Sequence, residues 1–124
     1  MTAVPGRRWY AVHTRPHGES RALANLQRQD FAAYLPRYRG CRRHAGRVEA
    51  LRKPLFPRYL FVLLDIACER WRAIHSTFGV SHLVCIGDEP AAVPAGVVEA
   101  IRGREDDEGL IRLGAAAALP AGAP

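Results

Sequence analysis

Residues 53–64 read KPLFPRYLFVLL, the stretch of the 124-residue chain densest in large apolar and aromatic side chains. Pro54 and Pro57 stiffen its entry, because each ring fixes φ and removes an N–H donor. From Tyr59 onward no breaker interrupts it, and the residues favour a strand. Successive strand side chains point to opposite faces. Tyr59, Phe61 and Leu63 therefore share one face, and Leu60, Val62 and Leu64 share the other. Both faces are apolar. A small sheet needs helices on only one face, so another element of the chain or a partner must cover the second.

The rest of the chain supplies elements around this strand. Residues 8–14, RWYAVHT, predict a first strand, with Trp9, Ala11 and His13 on one face and Tyr10, Val12 and Thr14 on the other. A breaker cluster, Arg15-Pro16-His17-Gly18, turns the chain. Residues 17–30 predict a helix with a narrow stripe of Ala22, Leu23 and Leu26. A short strand is expected over 31–38, ending near Pro36. Residues 65–78 predict a second helix, because Ala67, Trp71, Ile74 and Phe78 fall on one helical face. Gly79 ends it. A strand over 80–86 places Val80, His82, Val84 and Ile86 on one side. After the Gly87-Asp88 turn, residues 91–93 suggest a short edge segment, and residues 95–104 a third helix. This order predicts an α+β fold, an α/β sandwich with a mainly antiparallel four-stranded sheet and helices packed on it.

The boundaries follow. Residues 1–7 are expected to be a flexible N-terminus and 8–104 one domain, as the length suggests. Glu105-Asp106-Asp107-Glu108 reads as a solvated helix end or linker, and GAAAALPAGAP continues it as a low-complexity tail. No run of about 18 apolar residues predicts a membrane span. Cys41, Cys68 and Cys85 are scattered, which argues against a disulfide framework and fits a reducing cytoplasm. Cys41 and His44 have ligand-like spacing, but no second pair completes a metal site. No GxSxG, P-loop or HExxH motif occurs, and no nucleophile–base or acid–base pair can be nominated. An enzyme and a cofactor are therefore not expected.

Charge is unevenly spread. Residues 1–58 hold twelve arginines and one lysine against three acids, a net +10; residues 59–124 hold five arginines against nine acids, a net −4. Such asymmetry marks a face for phosphate or for an acidic protein surface. Its densest part is residues 39–53, with Arg39, Arg42, Arg43 and Arg47 around a His44-Ala45-Gly46 turn signal. This predicts a basic β-hairpin arm or loop suited to nucleic-acid backbone. Aromatics are not interleaved with its arginines, so single-strand stacking is weakly supported there.

WYAVHTRP, PLFPRYLFV, GVSHLV and GDEPAAVP, in that order within residues 8–104, resemble the N-terminal domain of the NusG family. The resemblance is nearest to its specialised, RfaH-like branch. It implies a non-enzymatic transcription elongation and antitermination factor that binds RNA polymerase and suppresses pausing. The implied dock is the β′ clamp helices, through an apolar patch drawn from Phe56, Pro57, Tyr59, Phe61, Ile86, Val98 and Ile101. Alternation alone leaves Phe61 and Ile86 open between patch and core. The branch also implies contact with the non-template DNA strand, at positions matching Arg15, Asn25, Gln29 and Phe78. Phe78 departs from the basic residue expected there and could stack on a base instead. The branch's His/Thr-rich motif for the β gate loop is replaced by Arg70-Trp71-Arg72-Ala73, which leaves Arg70 and Arg72 as its counterparts. Family members usually continue into a KOW barrel, whereas this chain reaches Pro124 within linker-like sequence. Two alternatives compete with this monomeric polymerase-binding factor. One is an RNA-binding module on an RRM-like sheet, although RYLFVLLD lacks the Gly and spaced aromatics of RNP1. The other is an oligomerisation domain using the apolar sheet face.

Overall fold

The unbroken run after Pro57 forms the strand β5 (Tyr59–Leu64), the second strand of a four-stranded sheet. The structure is a computed structural model that describes residues 6–113. In chain order the elements are β1 (Arg8–Thr14), α1 (Glu19–Arg28), β2 (Ala32–Tyr34), β3 (Arg37–His44), β4 (Arg47–Pro54) and β5. A 3-10 helix (Trp71–Ser76), β6 (Val80–Leu83), β7 (Cys85–Ile86), β8 (Glu89–Pro90) and α2 (Val97–Arg102) follow. The sheet order is β2-β5-β1-β6, with every neighbouring pair antiparallel. The α+β architecture and the four-stranded antiparallel sheet are as expected from the sequence.

Strand register sorts the side chains. Tyr10 pairs with Val62 and Val12 with Leu60, so Tyr10, Val12, Leu60, Val62 and Leu64 line one face. That face is the core, closed by Ala22 and Leu26 of α1, by Phe31 and Leu35 after it, and by Ile74. Leu26, Leu60, Val62, Leu64 and Ile74 are all fully buried. Such side chains each contribute about 1.5–3 kcal/mol by leaving water.

Three expected elements changed form. Residues 65–78 are not one helix. Asp65 Oδ1 accepts from Ala67 N (2.9 Å), and Asp65 O accepts from Cys68 N and Glu69 N, making a tight turn. Arg70 (φ −81°, ψ 66°) then breaks the helical path, and only a 3-10 helix follows. Within it Ile74 is buried and Trp71 half-buried, whereas Ala67 before it and Phe78 after it are exposed. The expected strand over 80–86 divides at Val84, beyond which Cys85 and Ile86 pair with β8 in a separate hairpin, and within β6 a register shift against His13 and Thr14 leaves Ser81 without a partner. This bulge puts both Val80 and Leu83 in the core and turns His82 to the opposite face. The third helix shrinks to Val97–Arg102, entered through Gly96 at φ 89°.

Other segments match more closely. The basic stretch is a regular hairpin of β3 and β4, paired from Arg37↔Pro54 to His44↔Arg47. Its two-residue turn, Ala45-Gly46, has positive φ at both positions (54° and 76°), the hand that suits twisted strands. Ala92 bridges to Tyr10, so residues 91–93 do add to the sheet edge. The acidic run, expected to open a linker, is held in place. Asp106 Oδ1 accepts from Glu108 N and Leu110 N, and Leu110 and Ile111 are buried. Ile111 N donates to Arg37 O (2.7 Å), tying this segment to the base of the hairpin. The expected flexible N-terminus and low-complexity tail lie, for residues 1–5 and 114–124, outside the described residues. Among the described residues no helix is long and apolar enough to cross a membrane, and no cluster of metal-ligating side chains forms.

Candidate functional site

The second sheet face is covered over only part of its width. At one side Arg102 of α2 lies over the rings of Trp9 (5.2 Å) and Tyr34 (4.4 Å). The Tyr34 hydroxyl donates to Glu105, and burial together with that carboxylate pushes its pKa well up. At the other side the face is open. Register places His82, His13 and Tyr59 side by side across β6, β1 and β5. Their rings lie 4.9 Å (His13–His82) and 5.0 Å (His13–Tyr59) apart. Tyr59 retains 39% of its surface.

A turn adds Phe56 to this row. Tyr59 N donates to Phe56 O (3.0 Å), with Pro57 and Arg58 at the corner. Pro57 supplies the fixed φ of the first corner position, and Arg58 takes φ 71° at the second. A side chain there is strained. It is held because Arg58 N donates to Glu19 Oε2 (2.8 Å) and Thr14 N donates to Arg58 O (2.8 Å). The turn brings the Phe56 ring edge-on to Phe61 at 6.0 Å. Phe56 is 41% exposed, and Phe61 beneath it only 7%.

Of the residues expected to form one patch, Phe56, Tyr59 and Phe61 come together. Pro57 is exposed at the corner. Ile86, 79% exposed, stands on the separate β7–β8 hairpin. Ile101 is half-buried, and Val98, 1% exposed, is a core residue that offers no surface. His13 and His82 were not among the expected patch residues. Only the pairing register reveals them, and a single sequence does not contain it.

His13 Nδ1 is buried without a hydrogen-bond partner. Desolvation, with Arg58 and His82 nearby, lowers its pKa below the ordinary 6.5. The shift favours the neutral ring. The sign is that of a depressed pKa: its stabilisation is present above 6.5 and is lost as pH falls through the lower folded value. An NMR titration of His13 should give a midpoint below 6.5; a raised midpoint contradicts the apolar setting.

A second cluster gathers Arg15, Asn25, Gln29 and Phe78. Asn25 Nδ2 donates to Arg21 O (3.0 Å) and Phe78 O (3.4 Å), and Asn25 Oδ1 accepts from Arg28 Nη1 (2.7 Å). Gln29 Nε2 donates to Thr77 Oγ1 (2.8 Å) and Asn25 O (3.2 Å). Both amide groups therefore hold the 77–78 loop against α1. What they present is Phe78, 71% exposed, with the Arg21 guanidinium 5.5 Å from its ring centre. Arg15 N donates to Gly79 O, and the Arg15 side chain is exposed beside this loop.

Gly79 makes that approach feasible. It has φ 91°, and a Cβ there would lie 2.8 Å from Ala22 N. Gly79→Ala should cost about 2 kcal/mol or more, from strain and from displacing α1. Chemical denaturation measures this, and an unchanged midpoint would contradict the close approach.

Arg70 and Arg72 are both exposed, with the Arg72 guanidinium 4.4 Å over Trp71. Arg39 pairs with Glu108 (2.6 Å) and Asp106, and Arg42 with Glu49 (2.8 Å). Among the described residues Arg43 and Arg47 pair with no carboxylate.

Comparison with known proteins bears on the family and the fold. The chain is 35% identical over 97 residues to the transcription termination/antitermination protein NusG of Thermus thermophilus, covering 66% of this chain and 53% of that protein. It is 31% identical over 90 residues to the NusG of Staphylococcus carnosus, covering 65% and 50%. The chain thus spans about half the length of these relatives. A solved structure described as "Domain interaction in Thermotoga maritima NusG" superposes with a TM-score of 0.55 at 22% identity, over 77% of this chain and 54% of that one, and shows the shared fold. The profile of the family described as "Transcription termination factor nusG", a family of transcription factors rather than enzymes, matches residues 7–102. The chain belongs to the NusG family, and residues 7–102 are the part that carries the match.

Proposed function

We propose that this chain is the polymerase-binding part of a cytoplasmic transcription elongation and antitermination factor of the RfaH-like branch, acting as a monomer. The carrying observation is the half-open sheet face, where Tyr59 and Phe56 stay exposed beside the His13 ring. An aromatic anchor on an open apolar face suits a helical partner. The β′ clamp helices of RNA polymerase would lie across Phe56, Pro57 and Tyr59. Phe61 and Val98 would support them from below, and Ile86 and Ile101 would extend the contact. Arg70 and Arg72 would reach the β gate loop.

Phe78 with Arg21 offers a stacking platform for an unpaired base, and Arg15 a phosphate contact, on the non-template strand. Asn25 and Gln29 would hold the platform, and Gln29 would offer its side-chain oxygen. The bound domain would bridge the polymerase cleft and disfavour the motion that accompanies pausing. An RRM-like RNA module is not favoured, because residues 7–102 match the NusG family. A pause assay on a reconstituted elongation complex tests the reading. Shortened pauses, with Phe78→Ala weakening binding to some non-template sequences and not others, are the expected result. Unchanged pausing with the wild-type chain would reject it.

A further inference from the structure

The β3–β4 hairpin is larger than its connecting task requires. It links β2 to β5, which are adjacent antiparallel strands, a job that two to five residues usually do. Here the excursion takes two eight-residue strands, and every residue from Cys41 to Ala50 is exposed. At the usual rise per residue the arm projects about 25 Å. A lone two-stranded ribbon is marginal in water, so its upkeep calls for a reason.

Charge supplies one. Residues 37–54 hold six arginines and one lysine against Glu49 alone, a net +6. That equals the net charge of the whole chain, whose remaining residues balance at eleven bases and eleven acids. Register divides these cations between both faces of the ribbon. Arg37, Arg39, Arg43 and Arg52 lie on one face, and Arg42, Arg47 and Lys53 on the other. Arg39 stands directly opposite Arg52, a like-charged pairing that costs stability in isolation. Only Arg39 at the base and Arg42 find carboxylates among the described residues. The ribbon has no aromatic residue beyond Tyr38 at its base, so it lacks the platforms that unpaired bases need.

We infer that the arm is a β-ribbon that lies in a groove of double-stranded DNA and binds the phosphate backbones on both sides. A cationic ribbon with two charged faces matches a groove walled by two phosphate strands, and the major groove of B-DNA admits a two-stranded ribbon. The corresponding groove of A-form RNA is too narrow and deep. Recognition would be largely independent of sequence, because phosphate contacts carry no base information.

The test uses the full chain and a fluorescent 24-base-pair duplex, with one of its strands alone as comparison, by anisotropy across a salt series. Four to six phosphate contacts predict a slope of log affinity against log salt of about −4 to −5 on duplex. The triple variant Arg42→Ala, Arg43→Ala, Arg47→Ala should bind at least tenfold more weakly and lose about three units of slope. A control triple, Arg7→Ala, Arg104→Ala, Arg112→Ala, removes the same charge outside the arm and should retain the wild-type slope. Circular dichroism of both triples confirms folding, since the replaced arm residues are exposed. Equal losses in the two triples, preference for the single strand, or no duplex binding at 50 mM salt would each overturn the inference. The assay contains no polymerase, so its outcome is independent of the proposed docking.

Discussion

Tyr59→Asp should reduce binding to core RNA polymerase by at least about 30-fold while leaving the chain folded. The ring forms the exposed end of the His82–His13–Tyr59 row and borders Phe56 through the Pro57–Arg58 turn. An aromatic anchor at the centre of an interface is worth about 2 kcal/mol or more when truncated, which is the stated factor. Aspartate adds a carboxylate that the apolar patch would bury without a counter-charge. The fold should persist because Tyr59 is already 39% exposed and its backbone pairing with His13 needs no particular side chain. Binding is read by pull-down or biolayer interferometry, and folding by circular dichroism. Wild-type affinity in the variant would remove Tyr59 from the interface.

Leu60→Ala, one residue along the same strand, should act through stability instead. Leu60 is fully buried, pairs with Val12 and belongs to the core cluster that α1 closes. A Leu→Ala change at such a site costs about 2–5 kcal/mol, the lost transfer energy plus the cavity left behind. For a domain of this size that is a large share of total stability. Urea unfolding should show a lower midpoint with an unchanged slope. A loss under about 1 kcal/mol would mean that the core collapses around the gap. The two neighbours thus separate function from folding on opposite faces of one strand.

That separation also shows how far residues alone carry the argument. Strand β5 was readable to the residue, because a run bounded by Pro57 with both faces apolar has few other solutions. The basic hairpin was readable from its Ala45-Gly46 turn and flanking arginines. Alternation could not say which face of β5 is outside, so Phe61 stayed open; the structure puts it beneath Phe56. Helical periodicity misled over residues 65–78, where the Asp65 turn and the backbone of Arg70 prevail over the spacing of apolar residues. The bulge at Ser81 reversed the faces of the following strand, a one-residue effect that no hydropathy pattern shows. His13 and His82 join the candidate dock only because three strands align them. Val98 fitted the family's pattern and proved to be core. The acidic run resembled linker, yet Asp106 caps its own turn and Leu110 and Ile111 anchor it.

The most direct test of the docking claim is competition. The chain is bound to a reconstituted elongation complex, and an isolated fragment carrying the β′ clamp helices is titrated in. The proposed dock predicts progressive release of the chain, with the Tyr59→Asp variant failing to bind the fragment. Retention of the chain on the complex at saturating fragment would contradict it.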